Sequence, residues 1–473
     1  MTAAGLSLDV EAEGFYHREV TQVFGSRGSN RWKLVHYALA AVLTAPAVGR
    51  AQTDYDLVLK GGHVIDGKNR LNAVRDVAIK DGKIAAVERD IAASRALKAV
   101  NVSGLYVTPG LVDIHVHVYA GTTKNSYANG DWGLFPDGFT LRVGVTTVAD
   151  AGSSGWRTFA DFKDRIIDQS KTRVLAFINI VGAGMGSGPI EQNLADMEVK
   201  PTADVALKYK GLIVGIKSAH FAGPEWTPYE KAEEVGRIAN IPVMVDFGSN
   251  VRAGRTLYDL LNKYFRPGDI FTHMYGGRRG EQDPETKGPS AAMIDGRKRG
   301  VIFDVGHGGG SFLWSCAVPL MKAGFIPDSI STDIHNHSMN AGMKDMLNVM
   351  DKFLAMGMPL DEVVLRSTWN PAREIQHPEL GNLSIGSPAD VAVLRLEIGH
   401  FGFVDQIGAR LDGTKKLLCE LTVRDGKVVY DLNGLTRERW DKLPPDSRGT
   451  GDPRWDGFAP TRGAAGQRPA TKK

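Results

Sequence analysis

The chain has 473 residues, of which 42% are hydrophobic, and a formal net charge of +3. This length is sufficient for a large hydrophobic core with an accessory domain. The near balance of charge argues against nucleic acid as the main partner. Two cysteines, Cys316 and Cys419, are too few for a disulfide scaffold, so we expect buried free thiols.

An N-terminal extension over residues 1–52 contains a short apolar stretch at 34–48 that follows the basic residue Arg31. About fifteen residues are too few to cross a bilayer with any margin, so we do not expect an integral membrane protein. A basic flank, an apolar stretch and small residues before cleavage near Ala51 are typical of a secretory signal. The extension therefore predicts a periplasmic or secreted protein. The alternative is that the N-terminal segment is an amphipathic helix and the protein is cytoplasmic.

Short antiparallel strands are predicted towards both ends of the remaining chain. Apolar and polar residues alternate around glycine turns between residues 54 and 87 and again between 389 and 430. The turn sequence Asp-Gly-Lys occurs in both parts, at 81–83 and at 425–427. A β-rich sequence that is split in this way predicts one small β-sandwich whose halves flank a continuous central domain.

The central domain alternates strand-like and helix-like stretches. Helical patterns lie between most of the strands, for example from Pro228 to Ala239, and residues 341–356 follow the last one. Eight such units predict a (β/α)8 TIM-like barrel, in which active sites lie at the C-terminal ends of the strands. An open doubly wound sheet is the alternative, although no glycine-rich dinucleotide fingerprint follows the first strand. The eight predicted strands are 110–118, 145–150, 173–181, 211–217, 241–247, 269–274, 300–305 and 329–333.

The predicted organisation has four parts, and the last of them is rich in proline, glycine and charge, which is typical of a disordered tail. In chain order they are the extension 1–52, the sandwich 53–108 plus 376–435, the barrel 109–375 and the tail 436–473.

Polar residues recur at the ends of otherwise apolar predicted strands. His115 and His117 lie two apart on the first strand, so both side chains point to one face and can reach one cation. A His-x-His pair is weak evidence alone. A buried charged side chain needs a partner. If several strands bring such side chains to one rim of the barrel, a divalent metal ion would be that partner. Ordinary ion pairs at the rim are the alternative. The later strands end in Lys217, Asp246, His273 and Asp333.

Lys217 is unusual in this set because an ammonium group cannot bind a metal ion. Desolvation lowers the pKa of a lysine, and a neutral amine can add CO2 to become a carbamate. A carbamate has two oxygens, so a carboxylated Lys217 could bridge two cations.

These residues lead to a known family. Their order along the chain resembles the amidohydrolase superfamily of binuclear metal-dependent hydrolases, and the surrounding motifs look like its dihydroorotase-like deacetylase branch. The resemblance covers about residues 55 to 432. The stretches that carry it are Asp113-Ile-His-Val-His117, Pro136-Asp-Gly-Phe139, 144–157, Asp304-Val-Gly-His-Gly-Gly-Gly-Ser311 and Ser331-Thr-Asp-Ile-His335.

The resemblance implies two divalent metal ions, zinc with manganese as the alternative, and a role for each residue of the set. The first ion would be held by His115, His117 and Asp333, the second by His273 and the strand-five residue Asp246, with carboxylated Lys217 between them. The common pattern has a histidine where this chain has Asp246, and a carboxylate can bind either metal through oxygen. His220 lies just beyond strand four and could compensate as a ligand or a substrate contact, or could be an ordinary loop histidine.

The implied reaction is hydrolysis by metal-activated hydroxide, with Asp333 as the group that accepts and returns the proton. The expected substrate is a small N-acyl compound that is deacetylated; the alternatives are an ester of an acetylated hydroxy acid and a cyclic amide. A catalytically degenerate metal-binding module is the alternative from another class. The resemblance also allows a homo-oligomer. Candidate substrate contacts, each with a structural role as its alternative, are His307, His220, Arg157, Tyr275 and His335.

Overall fold

The computed structural model describes residues 53–186, 188–248, 254–445 and 451–459. The predicted secretory signal lies outside these residues, so export stays a prediction. The described part of the chain contains two sheets, one mostly antiparallel and one parallel. None of the helices within these ranges is long and apolar enough to cross a membrane.

The mostly antiparallel sheet is built from both ends of the chain. Its two halves join where Val391–Val404 pairs with Tyr106–Pro109 in antiparallel register. This pairing confirms the predicted β-domain formed by the flanking segments. In the order in which they pair, the strands are Lys427–Asp431, Arg410–Arg424, Val391–Val404, Tyr106–Pro109, Tyr55–Asp66, Leu71–Lys80 and Lys83–Glu88, with Ala96–Asn101 beside Tyr55–Asp66.

The two Asp-Gly-Lys sequences form hairpin turns that pack against each other. Asp81 and Gly82 have φ values of 48° and 74°, and Asp425 and Gly426 have 48° and 76°. Two successive positive φ values are typical of the turn that best matches the twist of a hairpin. A Cβ on Gly426 would lie 2.8 Å from the Cα of Gly82, so glycine allows the early and late hairpins to meet.

The parallel sheet forms the barrel, and its strands are called barrel strands one to eight below. Residues 329–334 form bridges from Ser329 to Asp304 and from Ile334 to Val116, which join this segment, as strand eight, to strands seven and one. The predicted strand 329–333 is thus present only as isolated bridges, and Asp333, with φ of 51°, is not extended. Strands one to seven are Leu111–Val116, Val145–Gly155, Arg173–Asn179, Ile213–Ala219, Val243–Asp246, Ile270–Phe271 and Ile302–Phe303.

The helices of the barrel follow the predicted pattern. The helix predicted from Pro228 begins at Thr227, has proline in its first turn and ends before Asn240, whose φ of 54° is left-handed. The helix predicted over 341–356 begins only at Met346, because the Asp345 side chain accepts a hydrogen bond from the helix and caps it. The described α-helices are Phe159–Phe162, Val199–Lys208, Thr227–Ala239, Leu257–Asp259, Ala291–Lys298, Trp314–Lys322, Met346–Ala355, Leu360–Arg366 and Trp369–Glu374.

The segment after the last strand of the β-domain is described over 436–445 and 451–459, and it packs on the sheet through a few of its residues. Trp455 is 4% exposed, and its carbonyl accepts a hydrogen bond of 2.7 Å from the amide of Val428. Arg437 donates to Asp456 over 3.1 Å. The expectation of a loose tail from residue 436 is therefore corrected at Arg437, Trp455 and Asp456, where a buried aromatic ring and an ion pair hold the chain on the sheet.

Candidate metal centre

A cavity of about 440 Å³ opens at the C-terminal ends of the barrel strands. This is the end at which a barrel of this type places its active site. All six residues predicted as metal ligands line it, together with two of the predicted substrate contacts, His220 and His335. The six are His115, His117, Lys217, Asp246, His273 and Asp333.

Asp333 lies at the centre of the histidines. Ligand atoms of His115, His273 and Asp333 all lie within 4.8 Å of one another. Asp333 Oδ1 is 3.1 Å from His117 Nε2 and 3.5 Å from His115 Nε2. Side chains from strands one, six and eight, which are far apart in sequence, therefore converge on one point.

Each of three histidines is oriented by a hydrogen bond from its outer nitrogen. Nδ1 of His115 is hydrogen-bonded to Thr272 Oγ1 at 2.8 Å, and that of His117 is hydrogen-bonded to Ser153 Oγ at 3.0 Å. Nδ1 of His273 donates to the Gly306 carbonyl over 2.5 Å. Metal-binding histidines are characteristically held in this way, with the other nitrogen free for the ion. The residues thus fit a divalent metal centre.

The backbone turns three of these residues into the cavity. His220, His273 and Asp333 have φ values of 56°, 67° and 51°. Such left-handed conformations cost about 1–3 kcal/mol in non-glycine residues and persist where the surrounding structure enforces them. His220 and His273 follow barrel strands four and six and Asp333 lies in strand eight, so three strained residues face the cavity.

Lys217 is buried, with 1% of its surface exposed. Its Nζ lies 3.1 Å from His115 Nε2 and 3.6 Å from Met244 Sδ. Burial lowers the pKa of this lysine, which favours the neutral amine. A Cβ on Gly152 would lie 2.6 Å from the Cβ of Lys217, so glycine makes room for the lysine side chain.

The electrostatics favour the protonation states that bind metal. Burial, reinforced by the neighbouring Lys217, lowers the pKa of His115 to about 3, so its imidazole is neutral. Burial alone would raise the pKa of Asp333, but the nearby His115 and His117 outweigh it and hold that pKa well below its usual range. Burial also opposes ionisation of Asp246, and His273 and His220 overcome it in the same way.

The Asp246 carboxylate connects the second half of the site. Its Oδ2 lies 2.9 Å from His220 Nε2 and 3.3 Å from His273 Nε2. Its Oδ1 lies 3.4 Å from Nη2 of Arg279. On the other side of its ring, His220 Nδ1 is 3.1 Å from a carboxylate oxygen of Glu191.

His335 and His307, both predicted as substrate contacts, have different positions. His335 lines the cavity, 6.1 Å from His117 between ring centres, and burial lowers its pKa to about 4. His307 is fully buried behind the cavity, where its Nε2 accepts a hydrogen bond of 2.6 Å from Lys352 and its ring stacks on Phe312. The prediction for His307 is corrected: it holds the glycine-rich turn in place.

The glycine-rich turn packs on residues predicted as metal ligands, and its Gly309 and Gly310 line the cavity. A Cβ on Gly306 would lie 2.9 Å from Nδ1 of both His115 and His273. A Cβ on Gly308 would lie 2.1 Å from Asp333 Oδ2. Glycine at these positions therefore lets the backbone pack directly on the site residues.

Arg157 and Tyr275 do not reach the cavity, and both predictions are corrected. The Arg157 side chain is half-exposed and forms ion pairs with Asp196 at 2.6 Å and Glu198 at 3.1 Å. Tyr275 is fully buried, and its hydroxyl donates to the carbonyl of Phe325 over 3.3 Å. Arg157 therefore forms salt bridges away from the cavity, and Tyr275 packs in the core.

Sequence reasoning missed three residues of the site. Tyr127 lines the cavity with its ring 4.4 Å from that of His117, and Arg279 lines it with 4% of its surface exposed. Glu191 is the buried partner of His220. The glycine pair between His273 and Arg279 indicates a turn that brings Arg279 back, whereas no local pattern marks Tyr127 or Glu191.

The chain is similar to known deacetylases over most of its length, although no family model matches it. It is 32% identical over 338 residues to a deacetylase from Brucella anthropi, which covers 70% of this chain and 81% of that protein. It is 29% identical over 400 residues to a deacetylase from Enterococcus faecalis, and the match covers 83% of this chain and 96% of that protein. A dihydroorotase from Anaeromyxobacter sp. is 26% identical over 387 residues, 72% of this chain and 88% of that one.

Two solved structures share the fold and 28% sequence identity. An adenine deaminase superposes with a TM-score of 0.73 over 80% of this chain and 100% of its own. A dihydroorotase superposes with a TM-score of 0.70 over 79% of this chain and 99% of its own. With the barrel, the flanking β-domain and the cluster of histidines and carboxylates, these similarities show that the chain belongs to the amidohydrolase superfamily and is a hydrolase that acts on carbon–nitrogen bonds.

Proposed function

We propose that this protein is a metal-dependent deacetylase that cleaves the amide bond of a small N-acyl substrate. The observation that carries this proposal is the position of the Asp333 carboxylate, 3.1 Å from His117 and within 4.8 Å of ligand atoms of His115 and His273. The relatives from Brucella anthropi and Enterococcus faecalis that are named deacetylase support it. The cavity of about 440 Å³ has the size of a small-molecule site.

Two ions, zinc with manganese as the alternative, would be held by separate sets of residues. His115 and His117 would hold one with Asp333, and His273 and Asp246 would hold the other. When bound, such ions bring the pKa of a water molecule towards neutrality and polarise the carbonyl of the substrate. Imidazole and carboxylate ligands suit both metals.

Lys217 would bridge the two ions as a carbamate. Its neutral amine, which burial favours, would add CO2, form a nitrogen–carbon bond and release one proton. The position of Nζ beside His115 Nε2, at 3.1 Å, would direct the new carboxylate group towards the site. Gly152 supports this role because it leaves space for the lysine stem.

Asp333 would move the proton of the reaction. Its carboxylate is ionised, so it can accept a proton from the attacking water and deliver it to the nitrogen of the departing amine. Burial, with Asp333 nearby, raises the pKa of Tyr127, so its hydroxyl keeps its proton and can donate a hydrogen bond to the substrate. The neutral His335 lies 5.4 Å from the Tyr127 ring and could contact the same end of the substrate.

Cyclic amide hydrolysis is the second candidate, and the similarity to dihydroorotases favours it. These relatives are less similar in sequence, at 26% identity over 387 residues, although the superposed dihydroorotase has a TM-score of 0.70. Both candidates need the same attack on a carbonyl carbon, and so does cleavage of an acetyl ester. They differ only in what the cavity accepts.

A substrate panel with parallel metal analysis tests the proposal. The purified protein would be assayed on N-acetyl amino acids, O-acetyl hydroxy acids and dihydroorotate, while its metal content is measured by mass spectrometry. We expect the highest kcat/KM on an N-acetyl compound. Preference for dihydroorotate would favour the second candidate. Full metal loading without turnover on any compound would contradict the proposal and favour a metal-binding module.

A further inference from the structure

His220 occupies a position that the two ligand sets above leave unexplained. It follows barrel strand four in a loop and lines the same cavity as the other histidines. Its Nε2 is 2.9 Å from Asp246 Oδ2, and His273 Nε2 is 3.3 Å from that same oxygen. One carboxylate oxygen therefore lies within 3.3 Å of two imidazole nitrogens, and all three residues line the cavity.

Nδ1 of His220, like Nδ1 of His115, His117 and His273, has a hydrogen-bond partner on the side of the ring away from the site. Its Nδ1 lies 3.1 Å and 3.2 Å from the two carboxylate oxygens of Glu191, which is 4% exposed. A carboxylate behind a histidine fixes the ring and raises the basicity of the inner nitrogen, as it does for metal-binding histidines. The left-handed φ of 56° turns this side chain inwards, and Gln192 fixes the loop by donating to the His220 carbonyl over 3.1 Å.

We propose that His220 is a ligand of the second metal ion, together with Asp246 and His273, and that Glu191 orients it. With the carboxylated Lys217 of the proposed function, His220 would give the second ion four protein ligands, all from residues that line the cavity. The inference rests on the two-metal centre of the proposed function and adds a residue to it. The competing account is a plain ion pair in which His220 only bridges the carboxylates of Asp246 and Glu191.

Metal titration of a His220→Gln variant distinguishes the two accounts. Glutamine can still hydrogen-bond to Asp246 and Glu191, so the loop keeps its partners, but an amide is a poor ligand for zinc. Metal-free protein would be titrated with Zn²⁺ by calorimetry, and bound zinc would be counted by mass spectrometry. We expect two zinc ions per chain in the wild type and a second-site affinity that is weaker by about a hundredfold in the variant. Equal second-site affinity in both proteins, or a single zinc in the wild type, would overturn the inference.

Two further variants provide the control and the positive test. His337→Gln changes a histidine that lines the same cavity but packs on Trp132, at 5.2 Å between ring centres. It should bind two zinc ions, and loss of the second ion there would overturn the inference. The double variant His220→Gln/Asp246→His moves the imidazole to the end of strand five and should regain the second ion.

These readouts separate the inference from the proposed function, because zinc binding is measured without any substrate. A wild type that binds two ions and hydrolyses no N-acyl compound would refute only the proposed function. The visible spectrum of the Co²⁺-substituted protein gives an independent measurement. Loss of one nitrogen ligand in His220→Gln should change the band of the second site, and an unchanged spectrum would overturn the inference.

Discussion

Replacing Gly308 by alanine should displace Asp333 without changing any side chain that binds metal or substrate. A Cβ at this position would lie 2.1 Å from Asp333 Oδ2. An ordinary non-bonded contact needs about 3.5 Å, so the carboxylate or the turn must move by about 1 Å. Misplacement of a catalytic group by about 1 Å costs about a hundredfold in rate. We therefore expect kcat/KM to fall by about that factor.

The stability of the Gly308→Ala variant should change far less than its activity. Gly308 has φ of 53°, and a side chain in this left-handed conformation costs about 1–2 kcal/mol. Gly324→Ala is the matched control, because Gly324 is also left-handed, with φ of 77°, a Cβ there would have nothing within 4 Å, and it does not line the cavity. The assays are steady-state kinetics on the best N-acyl substrate, metal content and thermal unfolding. Wild-type kcat/KM in Gly308→Ala, or an equal loss in Gly324→Ala, would refute the reasoning.

Three further substitutions test the roles of single residues. Asp333→Asn should lower turnover by about 10²–10⁴-fold with metal content almost unchanged, and loss of metal with activity would show that Asp333 is mainly a ligand. Lys217→Ala should lose activity that short carboxylic acids partly restore, since they supply the bridging oxygens; no rescue in the metal-loaded variant would contradict the carbamate. Burial lowers the pKa of Lys352 to about 7, whereas an unfolded lysine titrates at about 10.4. The unfolded state therefore binds more protons between these values, and the contribution of Lys352 to stability rises with pH by about 1.4 kcal/mol per unit. The free energy of unfolding lost in Lys352→Met should grow from about pH 7 to about pH 9 in urea denaturation, and a constant difference would contradict the buried neutral amine.

The architecture could be predicted from the sequence because its periodic patterns are strong. Alternation around the two Asp-Gly-Lys turns marked the β-domain, and the repeated strand–helix units marked the barrel. The lengths of the strands were less predictable. Regular pairing in strands six and seven extends only over Ile270–Phe271 and Ile302–Phe303, whereas the predictions were 269–274 and 300–305. Apolar residues continue past the point where the backbone stops pairing, so the hydrophobic pattern overestimates the strand.

The six predicted ligands meet in the cavity because the barrel strands all end at one rim. A buried polar side chain there finds its polar partners among the residues that end the other strands. Predictions beyond the strand ends were less successful, and Tyr275 shows why. It lies two residues after His273, and side chains two apart share a side only while the backbone is extended. His273 has φ of 67°, which breaks the alternation and turns Tyr275 into the core. Gly276 and Gly277 indicate a turn after His273, but a histidine at position 273 does not indicate that the left-handed conformation begins there.

The flanking β-domain contributes to the catalytic end of the barrel as well as to folding. Lys352 Nζ donates over 2.8 Å to the carbonyl of Val404, in the long hairpin of that domain, and over 2.6 Å to His307. His307 in turn donates from Nδ1 to the carbonyl of Gly308 over 2.9 Å, and Gly308 packs against the Asp333 carboxylate. A continuous series of contacts thus leads from the hairpin to the proposed proton-transfer group. Because a carboxylate that moves a proton must be held to within a fraction of an ångström, we expect substitutions along this series of contacts to displace Asp333 and to lower turnover.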